Sequence, residues 1–342
     1  MPENGRKVIV TGGAGYIGSH TVVELTYAGY EPIIIDNFVN AEKSAIKGIE
    51  SILQRKVKVY EGDCADQALL KKVYQEEGSI SGIIHFAAFK AVGESVAQPL
   101  KYYRNNIDSL LSLLELSQAY DTTQLVFSSS CTVYGQPERL PVTEESPKKP
   151  AESPYGNTKQ VCEEILEDSY KSKAAIKAIA LRYFNPIGAH PSAAIGELPL
   201  GVPNNLVPFV TQTAAGIREK LTVFGDDYDT PDGTCVRDYI HVVDLAKAHV
   251  SALQYLEQQV VPFYDVFNIG TGQGNTVLDV LKTFEQVNGI QLNYTIGPRR
   301  PGDVEKVYAD VTKSRKELGW HTELGLADAL KDAWRWQQAL SK

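Results

Sequence analysis

The sequence predicts an α/β fold: a doubly wound parallel sheet of the Rossmann type with a smaller mixed α/β C-terminal domain for substrate. Three observations carry this. Short apolar, β-rich runs alternate with helix-length segments from the start to about residue 185. A glycine-rich turn joins the first run to the first helix. Beyond Asn185 the texture changes, because Pro186, Pro191, Pro199, Pro203 and Pro208 break any long element.

Taken in order, the strand candidates are Lys7 to Thr11, Pro32 to Asp36, Val57 to Glu61, Gly82 to Ala87, Gln124 to Ser128 and Lys177 to Tyr183. Between them, Ile17 to Tyr27, Ser44 to Gln54, Gln67 to Glu76, Leu100 to Ala119 and Tyr155 to Tyr170 carry apolar residues at helical spacing. The second part is expected to hold a helix near Phe209 to Arg218, a strand at Leu221 to Phe224, and helices at Asp244 to Tyr255, Thr276 to Val287 and Ala327 to Leu340. Residues 302 to 310 read as a further helix. The expected domains are 1–185 for dinucleotide and 186–342 for substrate, with a return to the first sheet open between 236 and 270.

The chain has 342 residues, 43% of them hydrophobic and 22% charged, enough for a large core without disulfide staples. Its 42 acidic against 34 basic residues argue against a broad surface for nucleic acid or anionic membrane. Cys64, Cys131, Cys162 and Cys235 form no C-x-x-C pair, and no metal-ligand spacing occurs among the six histidines. His85 sits in a strand, and His241 and His249 read as packing residues. There is no apolar run of membrane-spanning length and no signal-like start, so a cytoplasmic protein is expected. Absence of G-x-S-x-G and of a phosphate-loop lysine sets hydrolase and NTPase chemistry aside.

Thr11 to Gly18 reads TGGAGYIG. Gly12, Gly15 and Gly18 allow a tight turn, close approach of backbone to a pyrophosphate, and close packing of helix on sheet. The helix start, at Tyr16 and Ile17, then offers free N–H groups to phosphate. Asp36 ends the next strand, where a carboxylate accepts both ribose hydroxyls and repels a 2′-phosphate; the expected cofactor is NAD. Asp63, Phe86 and Ala87 end the third and fourth strands and outline an adenine and ribose site.

Ser130 follows the fifth strand, and Tyr155 and Lys159 lie one turn apart on the next helix. A phenol ordinarily titrates near pH 10, so to act as a base it needs positive charge beside it, which Lys159 and an oxidised nicotinamide would supply. Ser130 would hydrogen-bond the same substrate hydroxyl. A regulatory module that binds the dinucleotide without catalysis would have no need of the tyrosine and lysine, which this chain keeps.

The glycine turn with Asp36-Asn37, Ser130 and Tyr155-x-x-x-Lys159 resembles the extended short-chain dehydrogenase/reductase family. The stretches HFAAFKAVGESV, FSSSCTVYG, SPYGNTK, LRYFNPIGAHPS, PNNLVPF and DGTCVRDYIHVVDLA are similar to its branch that epimerises UDP-hexoses at sugar carbon 4 through a 4-keto intermediate. The resemblance implies that Asn37, Lys90 and Asn105 help hold the cofactor, Lys90 also reaching the sugar, and that Tyr183 and Phe184 lie near the nicotinamide. It implies UDP-sugar contacts for Asn185, Asn204, Asn205, Leu206, Arg237, Tyr239, Arg300 and Asp303, a sugar-gating position at Val307, and a homodimer built through helices of the first domain. No metal is implied.

Two departures stand out. Asn105-Asn106 is followed by Ile-Asp-Ser-Leu, where relatives have glycine-threonine, so helix packing near the cofactor is expected to differ. Thr132 is followed by Val133-Tyr134 and not by the Asp-Glu pair that 4,6-dehydratases use as acid and base for water elimination, which disfavours dehydration. A UDP-hexose dehydratase, oxidase or uronic-acid epimerase is the alternative within the family.

Overall fold

In the computed structural model, residues 5–300 and 303–340 are described. The first half alternates strand and helix: β1 (Arg6–Thr11), α1 (Tyr16–Tyr27), β2 (Tyr30–Asp36), α2 (Ser44–Leu53), β3 (Lys58–Glu61), α3 (Gln67–Glu77), β4 (Gly82–His85), α4 (Val92–Ala97), α5 (Pro99–Ala119), β5 (Gln124–Ser130), a 3₁₀ turn (Cys131–Tyr134), α6 (Pro154–Lys171) and β6 (Lys177–Tyr183). The second half adds β7 (Asn185–Ile187), α7 (Leu206–Ala214), β8 (Leu221–Phe224), β9 (Val236–Arg237), β10 (Tyr239–His241), α8 (Val242–Glu257), β11 (Phe263–Ile269), β12 (Asn275–Thr276), α9 (Val277–Asn288), β13 (Tyr294–Gly297), β14 (Lys306–Val307), α10 (Thr312–Glu317) and α11 (Leu326–Leu340).

Seven parallel strands form one sheet in the order β11-β6-β5-β4-β1-β2-β3. Strand order reverses between β1 and β4, and at that switch point the helices leave opposite faces and open a crevice at the carboxyl ends of the strands. Both faces are covered, so the strands are continuous apolar runs. Val8, Val10, Ile34 and Ile84 pack against α1, α2 and α8; Ile9, Ile33, Ile35 and Ile83 pack against α3, α5 and α6.

Local chemistry fixes the helix starts. Asp66 caps α3 by accepting from Ala68 N at 2.8 Å, Ser153 caps α6 with Pro154 behind it, and Thr276 and Asp279 form a reciprocal capping box on α9. A third apolar cluster joins α7, α9 and α11 to β8 in the second half. Around it lie short pairings: β10 with β7, β8 with β13, and β9 flanked by β12 and β14.

Three expectations are corrected. Residues 302 to 310 are not a helix: Lys306 and Val307 pair with Val236 and Arg237 as a strand, and Gly302 lies outside the described residues. The helix expected at Phe209 to Arg218 runs from Leu206 to Ala214, because Pro208 fits a first turn and Gly216 has φ +71°. The six-residue α4 was not expected at all. Among the described residues no helix is long and apolar enough to cross a membrane.

Candidate active site

At the switch point the chain turns on Gly12, whose φ of +69° suits glycine and where a Cβ would stand 2.9 Å from Ala87 N. Gly18 packs so tightly that a Cβ would lie 2.2 Å from the Gly12 carbonyl oxygen. Gly15 then begins α1 with no side-chain cap, leaving the leading amides of Tyr16, Ile17 and Gly18 to an outside acceptor. Tyr16 donates its hydroxyl to the Gly188 carbonyl at 2.7 Å, tying this turn to the second half of the chain.

Asp36 is buried beside the turn. Its carboxylate accepts from Ala14 N and Phe38 N, both at 2.9 Å, while burial pushes its carboxyl up. Asn37 and Asp63 are exposed and each accepts a backbone amide two residues on, from Val39 and Ala65. Phe86 lies half-buried with its ring 4.6 Å from that of His249, and Ala87 N faces Thr11 Oγ1 at 3.4 Å. Asn105 donates to Asn106, and the buried Asn106 in turn bonds Phe89 N, Phe89 O and Thr158. Ser109 reaches His85 Nε2 at 3.4 Å, and His85 Nδ1 meets Thr11 Oγ1 at 2.7 Å. Burial, with the nearby Lys159 charge, brings the His85 imidazole down to about 3, so it is neutral. These uncapped amides and the buried acid fit a dinucleotide.

Ser130, Tyr155 and Lys159 come together at the end of β5. All three are buried, at 7%, 9% and 4% exposure. Ser130 Oγ accepts from Thr132 N at 3.3 Å and acts to lower the Tyr155 phenol, and Lys159 Nζ donates to the Ser128 carbonyl at 2.6 Å with the Phe127 ring 4.8 Å away. Tyr183 meets Ser128 Oγ at 2.8 Å, and burial pushes its phenol up to about 12. Phe184 is buried nearby in the cluster that holds Val133 and Tyr134.

One electrostatic expectation changes. Lys159 does not lower the Tyr155 phenol in the chain itself: burial, reinforced by Tyr183, pushes it well above its ordinary value, against a smaller opposing effect of Ser130. Burial also brings Lys159 down to about 8. The lysine is aimed at a backbone carbonyl, so the positive charge that would free the phenol has to come from a ligand.

Across the cleft, Asn185 and Tyr239 are paired neighbours in β7 and β10. Asn204 and Asn205 are exposed ahead of α7; Leu206 starts that helix, and Asn205 donates to Glu197 Oε1 at 2.5 Å. Lys90 is exposed and stands 3.8 Å from the same carboxylate. Arg237, Arg300 and Asp303 converge: Asp303 takes two hydrogen bonds from Arg300, at 2.7 and 3.1 Å, and lies 3.8 Å from Arg237. Val307 is a buried strand residue in the cluster of Val133, Tyr134 and Phe184.

The sequence reading missed Glu163, Arg182, Glu197, Phe224 and Asp238. Phe224 is half-exposed with the Arg300 guanidinium 5.7 Å from its ring. Asp238, fully buried between Arg237 and Tyr239, accepts from Thr271 N and Oγ1, Gly272 N and Ala309 N at 2.7–3.2 Å and so pins two loops to β9. A charge inside the apolar run of β6 was the available signal for Arg182 and, one helical turn after Lys159, for Glu163.

The chain matches the family model described as GDP-mannose 4,6 dehydratase over residues 9–333. It is 49% identical to the UDP-glucose 4-epimerase of Bos taurus over 338 residues, covering 97% of this chain and 96% of the relative. With that of Bacillus subtilis it shares 48% over 332 residues, 97% of each. The structure of UDP-glucose 4-epimerase from Bifidobacterium longum in complex with NAD⁺ and UDP superposes with a TM-score of 0.92 at 47% identity, covering 97% and 98% of the two chains. That from Stenotrophomonas maltophila, with bound NAD and formylated UDP-arabinopyranose, does so with 0.95 at 45%, covering 98% and 99%. With the glycine turn, the buried Ser130–Tyr155–Lys159 group and full-length likeness all in agreement, the chain belongs to the UDP-glucose 4-epimerase family of the extended short-chain dehydrogenase/reductases.

Proposed function

We propose that this protein is an NAD-dependent isomerase that interconverts UDP-galactose and UDP-glucose by transient oxidation at sugar carbon 4. The observation that carries it is the meeting of Ser130 and Tyr155 at the strand ends that also bear the glycine turn and Asp36. Gly12, Gly15, Tyr16, Ile17, Gly18, Asp36, Asn37, Asp63, Phe86, Ala87, Lys90, Asn105, Tyr183 and Phe184 are assigned to the cofactor. When bound, NAD takes up a hydride from carbon 4 and returns it, so none is consumed over a turn.

Tyr155 moves the proton of the 4-hydroxyl, and Ser130 orients that hydroxyl by hydrogen bonding. A phenol held up by burial keeps its proton until positive charge arrives beside it, which couples proton removal to cofactor occupancy. Lys159, donating to the Ser128 carbonyl, holds the strand end that carries Ser130. Arg237 and Arg300 are assigned to the diphosphate, with Asp303 holding both guanidinium groups in place beforehand. Asn185, Asn204, Asn205, Leu206 and Tyr239 line the remaining nucleotide contacts. Firm hold on the nucleotide and loose hold on the sugar let the keto sugar present its other face.

Val307 favours a wider substrate range, because a small side chain at the sugar-gating position leaves room for an N-acetyl group on carbon 2. Residues 1–185, joined by β11 on its return to their sheet, serve as the dinucleotide domain, and the rest of 186–342 as the UDP-sugar domain. Leu100 and Leu111 on α5, 81% and 40% exposed beside Val96 of α4, support a homodimer through these helices. Four free cysteines suit the cytoplasm. The test is incubation with UDP-galactose without added NAD, followed by separation of the products. Appearance of UDP-glucose is expected; stoichiometric release of free NADH would instead indicate an oxidase.

A further inference from the structure

Beneath the serine strand lies a carboxylate that the proton-transfer scheme does not use. Glu163 is 0% exposed. Its Oε1 accepts from Ser129 Oγ at 2.6 Å and from Arg182 Nε at 2.9 Å; its Oε2 accepts from Arg182 Nη2 at 2.7 Å and stands 2.9 Å from Lys148 Nζ. Arg182 continues to the Tyr134 hydroxyl at 3.0 Å, which donates to Asn268 at 2.6 Å.

Tyr155, Lys159 and Glu163 recur every four residues along α6 and therefore form one helical stripe. Each meets a different residue at the end of β5: Tyr155 stands by Ser130, Lys159 donates to the Ser128 carbonyl, and Glu163 accepts from the Ser129 hydroxyl. Side chains alternate along a strand, so Ser129 points with Leu125 and Phe127 toward the face that α6 covers, and Ser130 points the other way at the strand end. Tyr155 and Lys159 stand in the reacting region, and Glu163 locks the strand residue between the two that they face.

We propose that Glu163 is a positioning residue for the epimerisation: held by Arg182 and Lys148, it anchors the Ser128–Ser130 strand end against α6 and stands as a buried counter-charge one helical turn beyond Lys159. This rests on the 4-epimerase reading and deepens it. Lys159 is faced by Glu163 and Cys162 on its own helix, by neutral His85 from β4, and by the Phe127 ring and Ser128 carbonyl from β5; Arg182 of β6 and Lys148 act on it through Glu163. Burial lowers the lysine to about 8, and Cys162 and then Glu163 oppose that fall. Without the carboxylate the lysine loses its proton at lower pH.

The test uses the purified NAD-bound protein and its Glu163→Gln and Ser129→Ala variants, assayed with UDP-galactose across pH. Glu163→Gln is expected to lower kcat about 10- to 100-fold, leave KM within about threefold, and move the alkaline limb of kcat to lower pH. Ser129→Ala, which keeps the Arg182 pair, is expected to lower kcat about 3- to 10-fold without moving that limb.

A second readout is independent of turnover. The unfolding penalty of Glu163→Gln is expected to be larger below about pH 7 than above about pH 9, where Lys159 is neutral in both proteins. A folded Glu163→Gln with unchanged kcat and alkaline limb overturns the proposal, as does a penalty independent of pH. If removing the carboxylate prevents folding, Ser129→Ala decides, and an unchanged kcat there overturns it. Failure of the wild type to convert UDP-galactose would count against the proposed activity itself.

Discussion

Ala14 donates its backbone amide to the Asp36 carboxylate at 2.9 Å, so the acid that ends β2 is keyed to the glycine turn that ends β1. The carboxylate proposed for the ribose thus also holds the turn. Asp36→Ala is expected to cost about 1–3 kcal/mol of NAD affinity, roughly 5- to 150-fold, through the lost ribose bonds and the unsatisfied Ala14 amide. The wild type is expected to discriminate strongly against NADP. Titration of the stripped protein with each dinucleotide checks both, and equal affinities would contradict the assignment.

Tyr155→Phe keeps the ring in its buried slot and removes only the hydroxyl. Turnover should fall by about two to four orders of magnitude with fold and bound cofactor retained. Ser130→Ala should cost as much or less, and Lys159→Met should also weaken cofactor binding. Steady-state rates with UDP-galactose, alongside the bound-NAD content of each variant, are the measurement; near-normal activity of Tyr155→Phe would remove the proton-transfer role.

Val307 belongs to the buried group containing Tyr134 and Phe184, while Tyr308 lies toward Gly274, where a Cβ would stand 3.1 Å from its ring. The two side chains therefore face apart, as strand neighbours do. Wild type is expected to epimerise UDP-N-acetylglucosamine as well as UDP-glucose, and Val307→Tyr to lose about 10- to 150-fold in kcat/KM on the acetylated sugar. Comparing kcat/KM for both sugars in both proteins decides it.

A stability prediction concerns Glu77 at the end of α3. Burial pushes its carboxyl up, but Tyr60, Lys7 and Lys58 outweigh this and hold it near 2. A depressed carboxylate stabilises the fold above its unfolded value and ceases to do so as pH falls through about 2. Lys58 is half-exposed, so screening reduces the effect. Glu77→Gln is expected to lose about 1–3 kcal/mol at neutral pH, with the difference from wild type shrinking from about pH 4.5 downward. Denaturant unfolding at several pH values measures it.

The parallel sheet was legible because its signals are local: apolar runs of strand length, helical spacing between them, and a glycine turn whose chemistry is written in adjacent residues. The β14 pairing was not, because Val307 is held extended by Arg237, a partner far away in sequence, and nothing in GDVEKVYAD announces it. Tyr155, Lys159 and Ser130 could be read from spacing. Their electrostatics could not, since whether Lys159 turns to the phenol or to the Ser128 carbonyl depends on where the helix sits against the strand. Asp238 and Glu163 escaped for a related reason: a buried carboxylate is recognised by the donors around it, and those come from distant segments.

The place of β11 has a consequence for how the molecule can be made. The sheet acquires its last strand only after the chain has built β7 to β10 and come back, pairing Phe263–Ile269 with Lys177–Tyr183. A fragment ending at residue 185 would present β6 as a bare edge, open to pairing with other copies of itself, so it is a poor candidate for expression on its own. During synthesis the first sheet stays incomplete until residue 269 has left the ribosome, and the long-range closure that finishes it makes late folding slow compared with the local βα units. The segment from β7 to α8 is thus fastened to the sheet at both ends, while α9 to α11 follow β11, so the second half cannot be exchanged as a simple C-terminal cassette.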